Sequence, residues 1–360
     1  MLFPQVRYWF YRVSTILRSI KTLYTLSPEK VKAFVDSYDV YNYDWNNEKE
    51  LIASFGPDYY TEVKKRVIDF YSVLNHLCAI GQIEKMYIPA AMDLSKSLTV
   101  NQKLFEQKMA KDLQVGSGHK VLDIGCGRGR IATYVASITD AHVTGMNIDR
   151  VQLESAHQYI IGNNLTDQCQ FKMADINDLP LPFPDASFDA VYNVGALTYA
   201  KDMKKLFKEI ARILKPGGKF AALDWIRLPK FDPANAHHAD LLRRIKPLVG
   251  AIGTPSMEEF SEALHEAGFA VLINENASID GLQAPLIENA DQFFSRVTKG
   301  VEFLVRWKIL PAHFKLLFDR MTKDGEAFVE ADRMRLVTSS HYFLGQKSRT
   351  KKQDYATKHG

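Results

Sequence analysis

Val121-Leu-Asp-Ile-Gly-Cys-Gly-Arg-Gly129 is the stretch whose reading decides the fold. Val121 and Leu122 suit a buried strand, and Gly125, Gly127 and Gly129 remove side chains where a backbone turns sharply and approaches a ligand closely. A helical pattern follows from Arg130 to Ile138, so the turn opens onto a helix N-terminus, where backbone N–H groups gather. Strand, glycine turn and helix in that order predict a nucleotide-like or amino-acid ligand at the carboxyl end of the strand.

A glycine turn by itself is a weak sign, and its surroundings sharpen it. A dinucleotide fingerprint asks for Gly-x-Gly-x-x-Gly with an acid about twenty residues on. Here the spacing is Gly-x-Gly-x-Gly, and Asp123 precedes the first glycine. His142-Val-Thr-Gly-Met-Asn147 predicts a second strand ending in a polar residue suited to ribose hydroxyls. Phe171-Lys-Met-Ala-Asp175-Ile176 puts an acid at the end of a third, placed for an adenine amino group. Pro184 to Asn193 leads into a fourth strand, and Leu214-Lys-Pro-Gly-Gly218 reads as a helix stop before a fifth.

In that order and spacing, these five features resemble the class I S-adenosylmethionine-dependent methyltransferases. The resemblance implies a Rossmann-like α/β fold with a seven-stranded sheet, and S-adenosylmethionine as methyl donor. By position it places Asp123, Gly125, Gly127, Asn147, Ile148, Asp175, Ile176 and Asn193 around the donor. Asp123 would hold the methionine amino group through its local turn, Asn147 would contact one ribose hydroxyl, and Asn193 would face the methionine end.

Composition narrows the class further. Hydrophobic residues make up 46% of the 360 and charged residues 24%, ordinary for a soluble globular protein. Cys78, Cys126 and Cys169 are too few for a disulfide framework and match no metal spacing, so reducing conditions and no metal are expected. The net charge of +4 comes from the two ends, which leaves the body between them net acidic and argues against nucleic acid as a partner. Oligomeric state is not legible in the sequence.

The chain reads as five regions. Residues 1–28 place Val6, Trp9, Phe10, Val13, Ile16, Leu17, Ile20, Leu23 and Tyr24 on one helical face, with Arg7, Arg18 and Lys21 opposite and Arg12 near the rim. That pattern suits a helix lying in a membrane interface, here the cytoplasmic face of an internal membrane such as the endoplasmic reticulum. Packing of the stripe on the protein, or an organelle presequence, are competing readings. Residues 29–112 read as a helical N-terminal cap and 113–275 as the donor-binding core. Residues 276–346 form a helical, aromatic region closing with His341-Tyr-Phe-Leu-Gly345 as an antiparallel strand, and 347–360 a basic, disordered tail. Most apolar side chains of 291–310 and 313–318 are expected in a core.

Outside the core a second resemblance appears. Tyr41-Asn-Tyr-Asp-Trp-Asn46 is similar to the Tyr-Glu-Tyr-Gly-Trp-Gly signature of sterol C-methyltransferases, Thr144-Gly-Met-Asn147 to their Thr-Gly-Leu-Asn, and Leu223-Asp-Trp225 to their Tyr-Glu-Trp. Asp232-Pro-Ala-Asn235, Glu266-Ala-Gly-Phe269 and Tyr342-Phe-Leu-Gly-Gln-Lys347 also have counterparts there. Two departures stand out. Gly195-Ala-Leu-Thr-Tyr199 replaces the Glu-Ala-Thr-Cys-His of the side-chain-methylating enzymes, and an insertion runs from Met86-Tyr-Ile-Pro to Glu106. In these the chain looks more like the divergent sterol-methyltransferase-like proteins of animals and fungi, some of which methylate the A-ring at C-4.

The resemblance implies transfer of a methyl group to carbon of a sterol or related isoprenoid. Tyr41, Tyr43, Trp45, Tyr199 and Trp225 are then the substrate-side residues, and Tyr199 and His341 the candidate bases. An O-methyltransferase of an apolar small molecule, which needs a positioned base from the start, is an alternative. A catalytically silent lipid-binding relative is another, because the usual acid and imidazole are missing. His237 and His238 are adjacent and would diverge in a strand, so they make no metal pair.

Overall fold

The computed structural model describes residues 3–81 and 83–349, with side chains from Arg12 onward. Val6, Arg7, Trp9 and Phe10 of the amphipathic pattern, and the tail from 350, lie outside the described side chains.

Thirteen α-helices and seven strands are formed among the described residues. In chain order α1 is Phe3–Tyr24, α2 Pro28–Ser37, α3 Glu48–Phe55, α4 Tyr59–Ile80 and α5 Leu98–Leu113. Then come β1 Lys120–Ile124, α6 Arg130–Thr139, β2 His142–Asn147, α7 Arg150–Gly162, β3 Cys169–Met173, β4 Phe188–Val194, α8 Met203–Ile213 and β5 Leu214–Arg227. The remainder is α9 Ala236–Val249, α10 Met257–Glu266, β6 Phe269–Asn276, α11 Ala284–Arg306, α12 His313–Thr322, α13 Gly325–Arg333 and β7 Val337–Lys347. Two compact units result. A helical unit gathers Met1–Gln102, Arg227–Thr254 and Ser278–Ser339, and a sheet unit gathers Lys103–Ile226, Pro255–Ala277 and Ser340–Gly360.

The sheet has seven strands in the order β3-β2-β1-β4-β5-β7-β6. β1 lies parallel between β2 and β4, with Asp123 opposite Gly145 on one side and Tyr192 on the other. β6 and β7 pair antiparallel, from Phe269 against Lys347 to Asn276 against His341. The central strands β1 and β4 are buried along almost their whole length, as strands covered on both faces must be. At Leu214-Lys-Pro-Gly-Gly218 the helix α8 has ended, as expected, and the stretch already belongs to β5, whose pairing with β4 shifts register between Phe188 and Ala190.

In the helical unit, α1 packs on α4. Its buried stripe is Thr15, Ser19 and Leu23, one residue per turn, while Leu17 and Tyr24 stay exposed at 61% and 52%. Packing therefore runs along the edge of the apolar arc, where Leu23 is enclosed and Val13, Ile16 and Ile20 are half-buried. The inserted segment is held by side chains clasping backbone. Asn101 Oδ1 accepts from Met92 and Asp93 N–H at 2.7 and 2.8 Å, and Gln102 Nε2 donates to the Lys85 and Tyr87 carbonyls. His237 and His238 begin α9 rather than a strand, and Asn235 caps them there.

One buried polar knot ties the unit's distant segments. Gln283 donates to the Pro89 carbonyl at 2.8 Å and accepts from Thr338 and Ser339 at 3.1 Å. Asp332 Oδ2 accepts the Gln283 and Ala284 N–H groups at 2.8 and 2.7 Å, capping α11. Replacing Asp332 by alanine strands two buried donors, which costs about 3 kcal/mol. Urea unfolding should show that loss, with Asp332→Asn recovering part of it.

Candidate active site

The turn from β1 to α6 is built by exclusion. Gly125, Gly127 and Gly129 all have left-handed φ, at 75°, 52° and 71°. A Cβ on Gly125 would lie 2.4 Å from the Ala196 methyl, and one on Gly129 would lie 2.5 Å from the Phe171 ring. Gly127 differs: its missing Cβ meets only Gln152 Oε1, at 3.2 Å. Gly125 and Gly129 thus serve packing, whereas the backbone at Gly127 faces space that a ligand can enter. Gly125 and Cys126 N–H both donate to the Met146 carbonyl, which fastens the turn to β2.

Asp123 lies beneath this turn, 2% exposed. Burial pushes its carboxyl up to about 7, only partly offset by the Tyr192 hydroxyl beside it and the Ala132 N–H of the following helix. Its Oδ2 has no hydrogen-bond partner among the described residues. Asp123 is therefore held against the turn, next to the start of α6.

Around the mouth of the turn, Asn147 and Ile148 end β2 half-buried. Asn147 Oδ1 accepts from the Ile148 N–H at 2.9 Å, and its Nδ2 lies 3.4 Å from the Gly127 carbonyl. The sequence reading missed Gln152. Its Nε2 is held by Asp149 Oδ2 at 3.0 Å, which aims Oε1 at the glycine turn beside Asn147. Asp149, in turn, caps α7. The helix-start pattern Asp-x-x-Gln was the available signal. Asp175 and Ile176 lie just past the end of β3 and are almost buried, with Asp175 Oδ1 accepting from the Asn177 N–H.

Asn193 is turned inward. It is fully buried, donating to the Ile124 carbonyl at 2.8 Å and accepting from the Ala196 N–H at 3.2 Å. It ties the end of β1 to the loop after β4, because both carboxyl ends otherwise carry unpaired backbone groups. Asp224, which sequence reading noted only as part of a motif, accepts from the Leu197 N–H at 2.8 Å. Burial lifts its carboxyl to about 6, against the stabilising backbone donors Trp225, Leu197 and Ala196. The same loop carries Tyr199, half-buried on the 3₁₀ turn Leu197–Tyr199, whose carbonyl accepts from Asn177 Nδ2 at 2.9 Å. Trp225 is 3% exposed in β5.

His341 sits within the β6–β7 pair. Its Nε2 lies 2.7 Å from Asn274 Oδ1, its ring is 4.6 Å from Phe343, and burial lowers its pKa to about 4. Those contacts make it a sheet-packing residue and correct its reading as a base. Tyr41 is likewise in a core, fully buried with its ring 5.0 Å from Phe70, which corrects its reading as a substrate-side residue. Tyr43 and Trp45 remain half-buried against Phe55 and Tyr60. Buried Lys246 fixes this segment by donating to the Tyr43 carbonyl at 2.5 Å. Among the described residues no three His, Cys, Asp or Glu side chains are grouped to hold a metal ion.

Comparison with known proteins matches this geometry. Residues 122–222 match the methyltransferase domain family. Cycloartenol-C-24-methyltransferase of Arabidopsis thaliana is 29% identical over 87% of this chain and 94% of its own length. A sterol 24-C-methyltransferase of Gibberella zeae is 28% identical over 76% of this chain and 73% of its own. Sterol methyltransferase-like 1 of Botryococcus braunii is 36% identical, over 51% of this chain and 46% of its length. Among solved structures, geranyl diphosphate C-methyltransferase from Streptomyces coelicolor covers 75% of this chain and 93% of its own at TM-score 0.53 and 17% identity. The cyclopropane synthase MmaA2 from Mycobacterium tuberculosis covers 73% and 90% at TM-score 0.60 and 15% identity, which shows a common fold.

Sheet order, glycine turn and domain match together are those of a class I S-adenosylmethionine-dependent methyltransferase. Within that class the chain is similar to sterol C-methyltransferases.

Gly125 and Gly127 make separable predictions. Gly125→Ala combines left-handed strain with a clash and should cost about 3 kcal/mol of stability. Gly127→Ala should cost about 1 kcal/mol yet abolish donor binding by calorimetry. Asp123 binds its proton more tightly folded than unfolded, so wild-type stability falls as pH rises from about 4 to about 7. The melting-temperature advantage of Asp123→Asn over wild type should therefore grow across that window and level off above it.

Proposed function

We propose that the protein transfers the methyl group of S-adenosylmethionine to a carbon atom of a sterol or related isoprenoid, at the surface of an internal membrane that α1 contacts. The observation that carries this reading is the reach of the likeness to cycloartenol-C-24-methyltransferase, which covers 87% of this chain and so extends well beyond the methyltransferase domain. The donor supplies an already activated electrophilic methyl group. What the protein must add is in-line placement of a carbon nucleophile.

In this reading the backbone at Gly127 lies along the donor, Asn147 and Gln152 accept its ribose hydroxyls, and Asp175 with Ile176 flank its adenine. Asp123, Asn193 and Asp224 position the turn and loop without touching it. Within the sheet unit, Tyr199 borders the substrate.

The replacement of the usual Glu and His by Gly195 to Tyr199 favours a nucleophile that needs little from the site afterwards. Attack by an isolated alkene carbon leaves a cation that must lose a proton to a base. Attack by the enol carbon of a 3-keto sterol forms the new C–C bond and breaks S–CH₃, and the released proton is an acidic hydroxyl proton that water can take. Tyr199 then orients the enol oxygen.

Purified protein with methyl-labelled donor and a sterol panel including 3-keto forms tests this, with the label located by mass spectrometry. Label on ring or side-chain carbon is the expected result, and Tyr199→Phe should lower turnover about tenfold. Label on oxygen, or none with donor still bound, would overturn it.

A further inference from the structure

The helical unit exposes an apolar surface that its own packing does not use. At the end of α11, Phe303, Trp307 and Ile309 are 58%, 66% and 58% exposed, and Leu316 on α12 is 47% exposed. They are not a core, contrary to the sequence expectation for this stretch. The turn that presents them is rigid: the Lys308 N–H donates to the Val305 carbonyl and the Ile309 N–H to the Leu304 carbonyl, both at 2.9 Å. That pattern closes a helix with a left-handed residue, and Lys308 takes it at φ 59° where glycine is usual. The hydrophobic residue after it ordinarily folds back onto the helix, but Ile309 projects outward.

The end of α1 belongs to the same surface. His313, which begins α12, bonds the Leu23 carbonyl through Nε2 at 2.8 Å, beside exposed Tyr24. Between them opens a groove of about 410 Å³ walled by Leu26, Val31, Val35 and Leu316. Exposed Tyr24, the groove, Leu316 and the α11 turn thus run together within one unit.

Charge decides what covers this surface. Residues 303–312 contain Arg306 and Lys308 and no acid, and α1 carries Arg18 and Lys21 with no acid before Glu29. The nearby acids Glu302 and Asp319 share Lys315, leaving one negative charge against Arg306 and Lys308, and Asp36 at the groove is paired with Lys32. A second copy meeting this face symmetrically would set these cations against themselves. An aromatic and aliphatic tip ringed by Arg and Lys instead matches an anionic lipid surface, with rings among the acyl boundary and bases at the headgroups. No described helix is long and apolar enough to cross a bilayer, so the contact is peripheral.

We propose that the α11–α12 turn, centred on Phe303, Trp307 and Ile309, docks the protein on an acidic phospholipid bilayer, jointly with the exposed margin of α1. This extends the membrane contact proposed for α1 to a second element and is independent of which sterol is methylated.

The test is co-sedimentation of the full chain with vesicles of phosphatidylcholine alone or mixed with phosphatidylserine. Wild type should prefer the acidic vesicles and lose that preference in high salt. The variant F303S/W307S/I309S should keep its melting temperature, since the three side chains are exposed, and lose vesicle affinity about tenfold or more. R306Q/K308Q should lose the preference for phosphatidylserine while retaining weak binding. On acidic vesicles, lipids brominated along the acyl chain should quench tryptophan emission less in W307F than in wild type. Unchanged sedimentation of the triple variant, with L17S/Y24S alone abolishing binding, would overturn the turn's role and leave α1 as sole anchor. A concentration-dependent dimer abolished by the triple variant, with vesicle binding unaltered, would overturn it in favour of self-association.

Discussion

Contact distances at the β1–α6 turn leave no room for a side chain at Gly125 or Gly129, and the rest of the candidate site's geometry depends on that constraint. Gly125 backs directly onto Ala196, so the glycine turn and the loop after β4 are stacked against one another. Asn193 stitches the same two segments through its amide, and Asp224 takes the Leu197 N–H of that loop. A single packed junction therefore sets both the donor-facing backbone and the height of Tyr199. Changing any part of it moves the others, because close-packed interiors transmit displacement rather than absorb it.

The two carboxylates of this junction illustrate how burial separates structure from chemistry. Asp123 and Asp224 are both nearly inaccessible and both hold raised pKa values, the mark usually taken for a catalytic acid. Here their neighbours are backbone N–H groups at the start of α6 and in the loop after β4. Their strain is architectural. In the proposed reaction, placement of substrate and donor weighs more than proton transfer, which suits an already activated methyl donor.

Much of this was legible in the order of residues. The glycine spacing, the acid before it and the polar ends of β2 and β3 identify the fold because each is a local consequence of backbone geometry. The closing antiparallel strand at His341 to Gly345 was legible too, although in the structure it is buried on both faces. Harder to see were the roles of Asn193, Gln152 and His341. Asn193 faces inward because β4 is covered on both faces, and a strand buried throughout gives no alternation from which to infer direction. Gln152 became visible only once Asp149 was seen to hold its amide.

The amphipathic segments divide most clearly between the two levels. Sequence alone determined that α1 and the 291–318 region are helical and rich in apolar and aromatic side chains, because periodicity is a property of the chain itself. It also determined the glycine turn, and with it the class of cofactor. Only tertiary structure decided which apolar residues are spent on packing. Leu23, Phe314, Leu317 and Phe318 are enclosed, while Leu17, Tyr24, Phe303, Trp307 and Ile309 are left to solvent. The physical reason is that a helix can present an apolar arc wider than one neighbour can cover, and only the packing of α1 on α4 and of α11 on α12 and α13 selects the part that stays outside.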